Sequence, residues 1–219
     1  MDNNISFKSR IQFVDYKSFK KIICNNCNFI DYKSAERNIV TGSDFYTTNI
    51  RTCTGGSLVN ATKDSSRPFQ STLGFHIFNN RDNNQNILKR IENALNFTPK
   101  NGILIGGKKL YDRGGQYSLP NFDKLKTFMG SILPDFSFFQ QQRYLYGQTH
   151  FHYSFKDDTW TLCSEFNGKN NIRGPITKGV SCLSDLTKHF LKIHIAQQDQ
   201  LFIGNKQIFK NDVPSLFIK

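Results

Sequence analysis

The chain has 219 residues, 37% of them hydrophobic, with 21 Phe and 8 Tyr, which suits one sizeable folded domain over residues 1–219 and excludes a disordered segment. Twenty-nine Lys and Arg against 17 Asp and Glu give a net charge of +12. The basic residues are spread along the chain, the nearest clusters being Lys17 to Lys21 and Lys108–Lys109, so steering toward acidic partners is expected ahead of a dedicated nucleic-acid tract. No stretch of about 18 apolar residues occurs, and Met1-Asp2-Asn3-Asn4-Ile5-Ser6 opens no apolar leader, so neither a membrane span nor a signal peptide is expected. Five irregularly spaced Cys argue against a disulfide framework and for a reducing cytosol as the working compartment.

In chain order, Ser6 to Val14, Phe19 to Cys24, Phe29 to Tyr32 and Phe45 to Ile50 carry β-branched or aromatic residues between Asn, Lys, Gly and Ser, and read as strands. The pattern breaks at Thr54-Gly55-Gly56 and resumes at Ser57 to Ala61, which puts Cys53 at a strand exit beside an expected glycine turn. Lys63 to Arg67 reads as a loop and Leu73 to Phe78 as a strand holding His76. Asp82 is a good N-cap for a helix that buries Ile87, Leu88, Ile91, Ala94 and Leu95 and stops before Pro99. Ile103-Leu104-Ile105 is a glycine-bounded strand, and Asp123 to Ile132 is a second helix ahead of Pro134. Phe136 to Gln140, Leu145 to Phe155 and Thr159 to Phe166 return to strand, with Asp157-Asp158 as a hairpin turn. Ser184 to Ile193 reads as a third helix, and Leu201 to Phe209, broken at Gly204-Asn205, as a closing hairpin. The fold class is therefore α+β: a central β-sandwich-like core of mostly antiparallel strands flanked by helices.

The run Phe45-Tyr46-Thr47-Thr48-Asn49-Ile50-Arg51-Thr52-Cys53-Thr54-Gly55-Gly56, followed by Gly74-Phe75-His76, carries the chemistry. A thiol with pKa near ~8.5 is mostly protonated at neutral pH, and an imidazole within reach can act as its base. Backbone N–H groups at Thr54, Gly55 and Gly56 are the expected oxyanion donors. On residue type alone, Cys53 reads first as a small buried hydrophobe, His76 as a hydrogen-bonded core residue and Thr47 as a β-branched strand residue.

The order of these residues resembles the chemoreceptor glutamine deamidases and the catalytic domain of cytotoxic necrotizing factors. In that superfamily a strand leads into the cysteine turn, a histidine follows on a later strand, and several members carry a threonine six residues before the cysteine, where this chain has Thr47. Gly74 and His76, the helix from Asp82 to Asn96 and the strand ending in Gly106-Gly107 continue the match, which covers about residues 36 to 112. Two departures stand out: Thr52 precedes the cysteine where the family has Gly or Ser, and the segment between Cys53 and His76 is longer. The resemblance implies a Cys53 nucleophile, a His76 acid/base, a Thr47 hydroxyl that orients the imidazole, no cofactor and no metal. It implies conversion of an exposed glutamine on a partner protein to glutamate through a thioester, with transglutamination where an amine replaces water. The divergent, Asn/Lys/Phe-rich sequence inclines the reading to a bacterial toxin or effector delivered into a host cell. All of this requires the sulfur of Cys53 and a nitrogen of His76 to meet where solvent can reach them.

Competing sites are weaker. Cys24-Asn25-Asn26-Cys27 has the spacing of half a zinc site, and His150, His152 and Cys163 could complete it, but a single C-x-x-C is thin support and the His150/His152 pair reads rather as flanking a cleft or the surface. No helix start follows the pair to lower a thiol pKa for redox work. Cys163 and Cys182 read as core, and His189 and His194 as solvated or half-buried. Gly106-Gly107-Lys108-Lys109 lacks the phosphate-loop spacing. Tyr144, Tyr146, Phe151 and Trp160 beside Arg143 and Lys156 could stack bases, but no nucleic-acid motif surrounds them. The remaining alternatives are a basic binding module in which Cys53 is packing, and a cysteine protease on a similar dyad.

Overall fold

The computed structural model describes residues 9–23, 27–42, 44–60, 71–78, 84–107, 118–142, 147–166 and 178–212. Its strands are β1 (Arg10–Phe13), β2 (Asn28–Phe29), β3 (Ile39–Thr41), β4 (Phe45–Ile50), β5 (Thr54–Val59), β6 (Thr72–Ile77), β7 (Asn101–Gly106), β8 (Ser137–Gln141), β9 (Gly147–Ser154), β10 (Thr159–Phe166), β11 (Lys178–Gly179), β12 (Phe190–His194), β13 (Gln200–Ile203) and β14 (Lys206–Ile208). Its helices are α1 (Tyr16–Ile22), α2 (Asn84–Ala94), α3 (Ser118–Ile132) and α4 (Leu183–His189).

The strands form two sheets. The larger runs β14-β13-β1-β10-β9-β4-β2, with β11 on β10, and the smaller runs β12-β8-β7-β5-β6-β3. Most pairings are antiparallel; β1 with β10, β1 with β13, β2 with β4 and β7 with β8 are parallel. The α+β class with a sheet core is thus the fold of the protein. Strand alternation decides what each face buries. Phe45, Phe151, Tyr153, Trp160 and Leu162 of the larger sheet meet Val59, Ile103, Ile105 and Phe139 of the smaller one. The other face of the smaller sheet, with Leu58, Leu73, Phe75 and Leu104, is covered by Ile87 and Ile91 of α2 and by Phe122, Leu125 and Met129 of α3. Each of these side chains stabilises the fold by about 1.5–3 kcal/mol through removal from water.

Several expected elements are corrected. Phe19 to Cys24 is not a strand: Asp15 caps α1 by accepting the Ser18 N–H at 2.7 Å, and Phe19 is its buried residue while the lysines stay outside. The helix expected over Ser184 to Ile193 is α4 followed by strand β12, since Phe190 and Ile193 pair with β8 across an irregular register. β3 (Ile39-Val40-Thr41) was not expected although all three of its residues are β-branched, β11 (Lys178–Gly179) was not expected either, and of Phe29 to Tyr32 only Phe29 lies in a strand, together with Asn28 in β2. Thr54, Gly55 and Gly56 are not a turn but the first half of β5, all three paired with β6 and the two glycines also with β7. Glycine is required there for close packing: a Cβ on Gly55 would lie 2.5 Å from Ile50 Cδ1, and one on Gly56 2.6 Å from Phe75 Cζ and 2.7 Å from the Ile103 carbonyl. Asp82 as a cap, the Lys63 to Arg67 loop, Lys108, Lys109, Cys24, Arg143, Tyr144 and Tyr146 lie outside the described residues.

Candidate functional site

Two of the residues singled out above, Thr47 and His76, meet between the sheets. β4 belongs to the larger sheet and turns Thr47 inward; β6 belongs to the smaller sheet and turns His76 toward it. Their side chains bridge the sandwich, with 2.6 Å between Thr47 Oγ1 and His76 Nδ1. Thr47 Oγ1 also donates to the Ile30 carbonyl at 3.0 Å. A hydroxyl has one proton to give. Because that proton goes to Ile30, the Thr47 oxygen accepts from His76, which fixes the neutral imidazole as its Nδ1–H tautomer and leaves Nε2 as a bare base. His76 Nε2 is buried and has no hydrogen-bond partner. The ring of Tyr32 lies over the imidazole, 4.7 Å between centroids.

Cys53 enters this arrangement through register. Gly55 pairs with His76 across β5 and β6, and Cys53 immediately precedes β5, two residues before Gly55. No hydrogen bond joins the Cys53 sulfur to His76 Nε2. Behind the cysteine lies the glycine pair that ends β7: a Cβ on Gly106 would come within 2.7 Å of the Cys53 carbonyl oxygen, and Gly106 and Gly107 have φ of +146° and +71°. β6, β7 and β8 all end at the edge where β5 begins.

The expectation that sulfur and imidazole meet in reach of solvent does not hold in this conformation. Cys53 is 2% exposed and His76 and Thr47 are 0% exposed. Burial pushes the Cys53 thiol up to about 12, against hydrogen bonds from Arg51 and Thr52 that favour the thiolate, and burial pulls His76 down to about 3. The pair therefore rests as neutral thiol and neutral imidazole. Of the expected oxyanion donors, Gly55 and Gly56 lie within a strand held by β6 on one side and β7 on the other, whereas Thr54 pairs only with Ile77 of β6.

The remaining titratable groups fall elsewhere. His150 and His152, expected to flank a cleft or the surface, are 3% exposed on the face of the larger sheet opposite to Thr47. His150 Nε2 contacts Glu165 Oε2 at 3.3 Å and lies under the rings of Tyr16 and Phe19 of α1. Cys163 is buried as expected, but Cys182 is exposed at the start of α4, where its sulfur contacts Ser184 Oγ at 3.1 Å. His189 is buried rather than solvated, and His194 meets Asp135 at 2.8 Å.

Cys27 and His152 are among the zinc donors expected from the sequence, whereas Asp44 and the grouping around Asp199 are not. Cys27 Sγ lies 3.6 Å from His152 Nε2 with Asp44 beside them. Asp199, at the other end of the sandwich, is buried among Ser137 and Asn101, whose Nδ2 donates to it at 2.6 Å. Burial raises the Asp199 carboxyl to about 7, against its hydrogen bonds. Among the described residues no helix is long and apolar enough to cross a membrane. Comparison with protein-family models, curated proteins and solved structures returns no match.

Proposed function

We propose that the chain is a cysteine-dependent amide hydrolase that converts glutamine side chains of another protein to glutamate. The observation that carries this reading is the relay from the Ile30 carbonyl through Thr47 Oγ1 to His76 Nδ1, which leaves a partnerless basic Nε2 on the strand next to Cys53. Such a relay does for the imidazole what a carboxylate or amide does in other nucleophile–histidine sites. In the reaction the Cys53 thiol gives its proton to His76 Nε2 as sulfur attacks the carboxamide carbon. Nε2–H returns the proton to the departing ammonia, and the thioester forms. Water, deprotonated by the same nitrogen, then adds to the thioester; glutamate leaves, and the thiol is restored. Thr47 is a positioning residue that acts only through His76. Because the resting pair is uncharged and covered, substrate binding has to uncover the sulfur before the ion pair can form. A target in a reducing cytosol, reached by an effector or toxin route, fits the unpaired thiol this chemistry needs.

One observation favours a second reading, the basic binding module with Cys53 as packing: the sulfur is 2% exposed. A single experiment separates the two. The protein and its Cys53→Ser variant are incubated with a cytosolic extract, and peptides are searched for glutamine-to-glutamate conversion, a gain of ~1 Da with the backbone intact and ammonia released. Conversion by the unaltered protein alone is expected. Conversion by both proteins or by neither removes the hydrolase reading, and backbone cleavage in place of conversion replaces it with a protease.

A further inference from the structure

The outer face of the larger sheet carries a cluster that the glutamine chemistry does not use. β2 runs parallel to β4, pairing Asn28 with Phe45, which sets Cys27 beside Asp44. β4 runs antiparallel to β9, pairing Tyr46 with His152. Cys27 and Asp44, each directly preceding its strand, thereby meet His152 of β9 at one spot, and one donor atom from each lies within 4.8 Å of the other two. We propose that this spot is a zinc-binding site with Cys27 Sγ, His152 Nε2 and an Asp44 carboxylate oxygen as its ligands among the described residues.

Geometry and donor chemistry both support this. Zinc binds thiolate at ~2.3 Å and imidazole nitrogen at ~2.0–2.1 Å, and a tetrahedral angle between two such bonds separates sulfur from nitrogen by roughly 3.6 Å. The Cys27 to His152 separation is 3.6 Å. The carboxylate needs to close by about 1 Å from the outer limit of the cluster to reach the same coordination sphere. Its Oδ1 is already anchored by the Phe155 N–H at 2.9 Å, the kind of support that orients a metal-binding carboxylate. His152 is 3% exposed, so its ring is held by packing.

A catalytic relay is the competing use of Cys, His and Asp, and it needs a carboxylate hydrogen-bonded to the far ring nitrogen. His152 Nδ1 has no hydrogen-bond partner. The donors therefore converge on a point instead of forming a line. A mixed sulfur, nitrogen and oxygen set suits a borderline-soft divalent ion, and thiolate plus carboxylate neutralise its two charges. On binding, a zinc–sulfur bond replaces the S–H bond and the Cys27 proton goes to solvent. The ion would tie β2, held by the pairs Asn28–Phe45 and Phe29–Tyr46, to the sheet.

The test uses the metal-free full chain titrated with Co2+ and then with Zn2+. The expected result is one ion per chain, a thiolate-to-cobalt charge-transfer band that Zn2+ abolishes, and release of protons on binding. Cys27→Ser should lose the band, and Asp44→Asn should weaken Zn2+ binding by about tenfold or more. Cys182→Ser, which removes an exposed thiol elsewhere, should match the unaltered protein. Circular dichroism of each variant verifies folding, and the band of the unaltered protein stands independently of any variant. Absence of stoichiometric binding by the unaltered protein, or a band that survives Cys27→Ser, overturns the proposal.

Discussion

Replacing Thr47 with Val tests the bridge between the sheets most directly, because the two side chains have nearly the same shape and only the hydroxyl is lost. Two buried hydrogen bonds disappear, at 2.6 Å to His76 and 3.0 Å to Ile30. The Ile30 carbonyl loses its side-chain donor. The imidazole cannot escape by changing tautomer: with its proton on Nδ1 that group is orphaned, and with the proton on Nε2 it faces a position that has no partner. An orphaned buried polar group costs about 1–3 kcal/mol, so Thr47→Val should destabilise the protein by roughly 2–4 kcal/mol. Urea denaturation at pH 7 measures this. Repeating the substitution in a His76→Leu background isolates the imidazole share: the cost should fall by about 1–2 kcal/mol, the coupling of the pair. The proposed activity on glutamine should fall about tenfold or more, because the imidazole is no longer fixed in the tautomer that reading requires. A cost below ~0.5 kcal/mol, or the same cost in both backgrounds, refutes the assigned bridge and tautomer.

Asp199 should make the protein less stable as pH rises. Its carboxyl is held at about 7 in the fold against 3.8 as a free group, so no penalty exists below 3.8, a penalty grows as pH rises toward 7, and it levels off above at about 4 kcal/mol. Asp199→Asn should remove it, raising stability at pH 8 while changing little below pH 4, as followed by thermal unfolding across that range. In that variant the opposite slope of His76 should emerge: its folded value of about 3 lies below the ordinary 6.5, so stability is full above 6.5 and lost as pH falls toward 3. Gly56→Ala should cost about 1–3 kcal/mol in urea denaturation, because the new methyl meets the Phe75 ring at 2.6 Å and the Ile103 carbonyl at 2.7 Å.

Where hydrophobic alternation is strong, strand limits read from residues and strand limits in the structure coincide, as at Phe45–Ile50 and Thr159–Phe166. α1 escaped because seven residues with one buried position leave no visible helical period; the readable clue was Asp15 three residues before Ser18. β12 was misread for a different reason: its register shift between Phe190 and Lys192 spaces the buried Phe190 and Ile193 three apart, as a helix would. Thr47 and His76 were visible through their order along the chain. The Gly55-Gly56 pair misled because glycine signals a turn and close packing equally well, and only the facing Ile50 and Phe75 decide between them. Cys27 and His152 were nameable as donors from residue type, but Asp44 could not be joined to them from spacing, since strand pairing alone brings positions so far apart in the chain together.

β4 is shared property. Its inward side holds Thr47 against His76, while its outward side aligns Asp44 with Cys27 and His152. Sliding this strand by one residue against β9 would present the inner residues to the outside and the reverse. The Thr47–His76 bridge and the Cys27, Asp44 and His152 grouping would then be lost together. The register of β4 against β9 shifts between Thr47 and Ile50, with Asn49 at φ 64°, so the alignment that serves both faces is the one in force from Phe45 to Thr47, ahead of that irregularity.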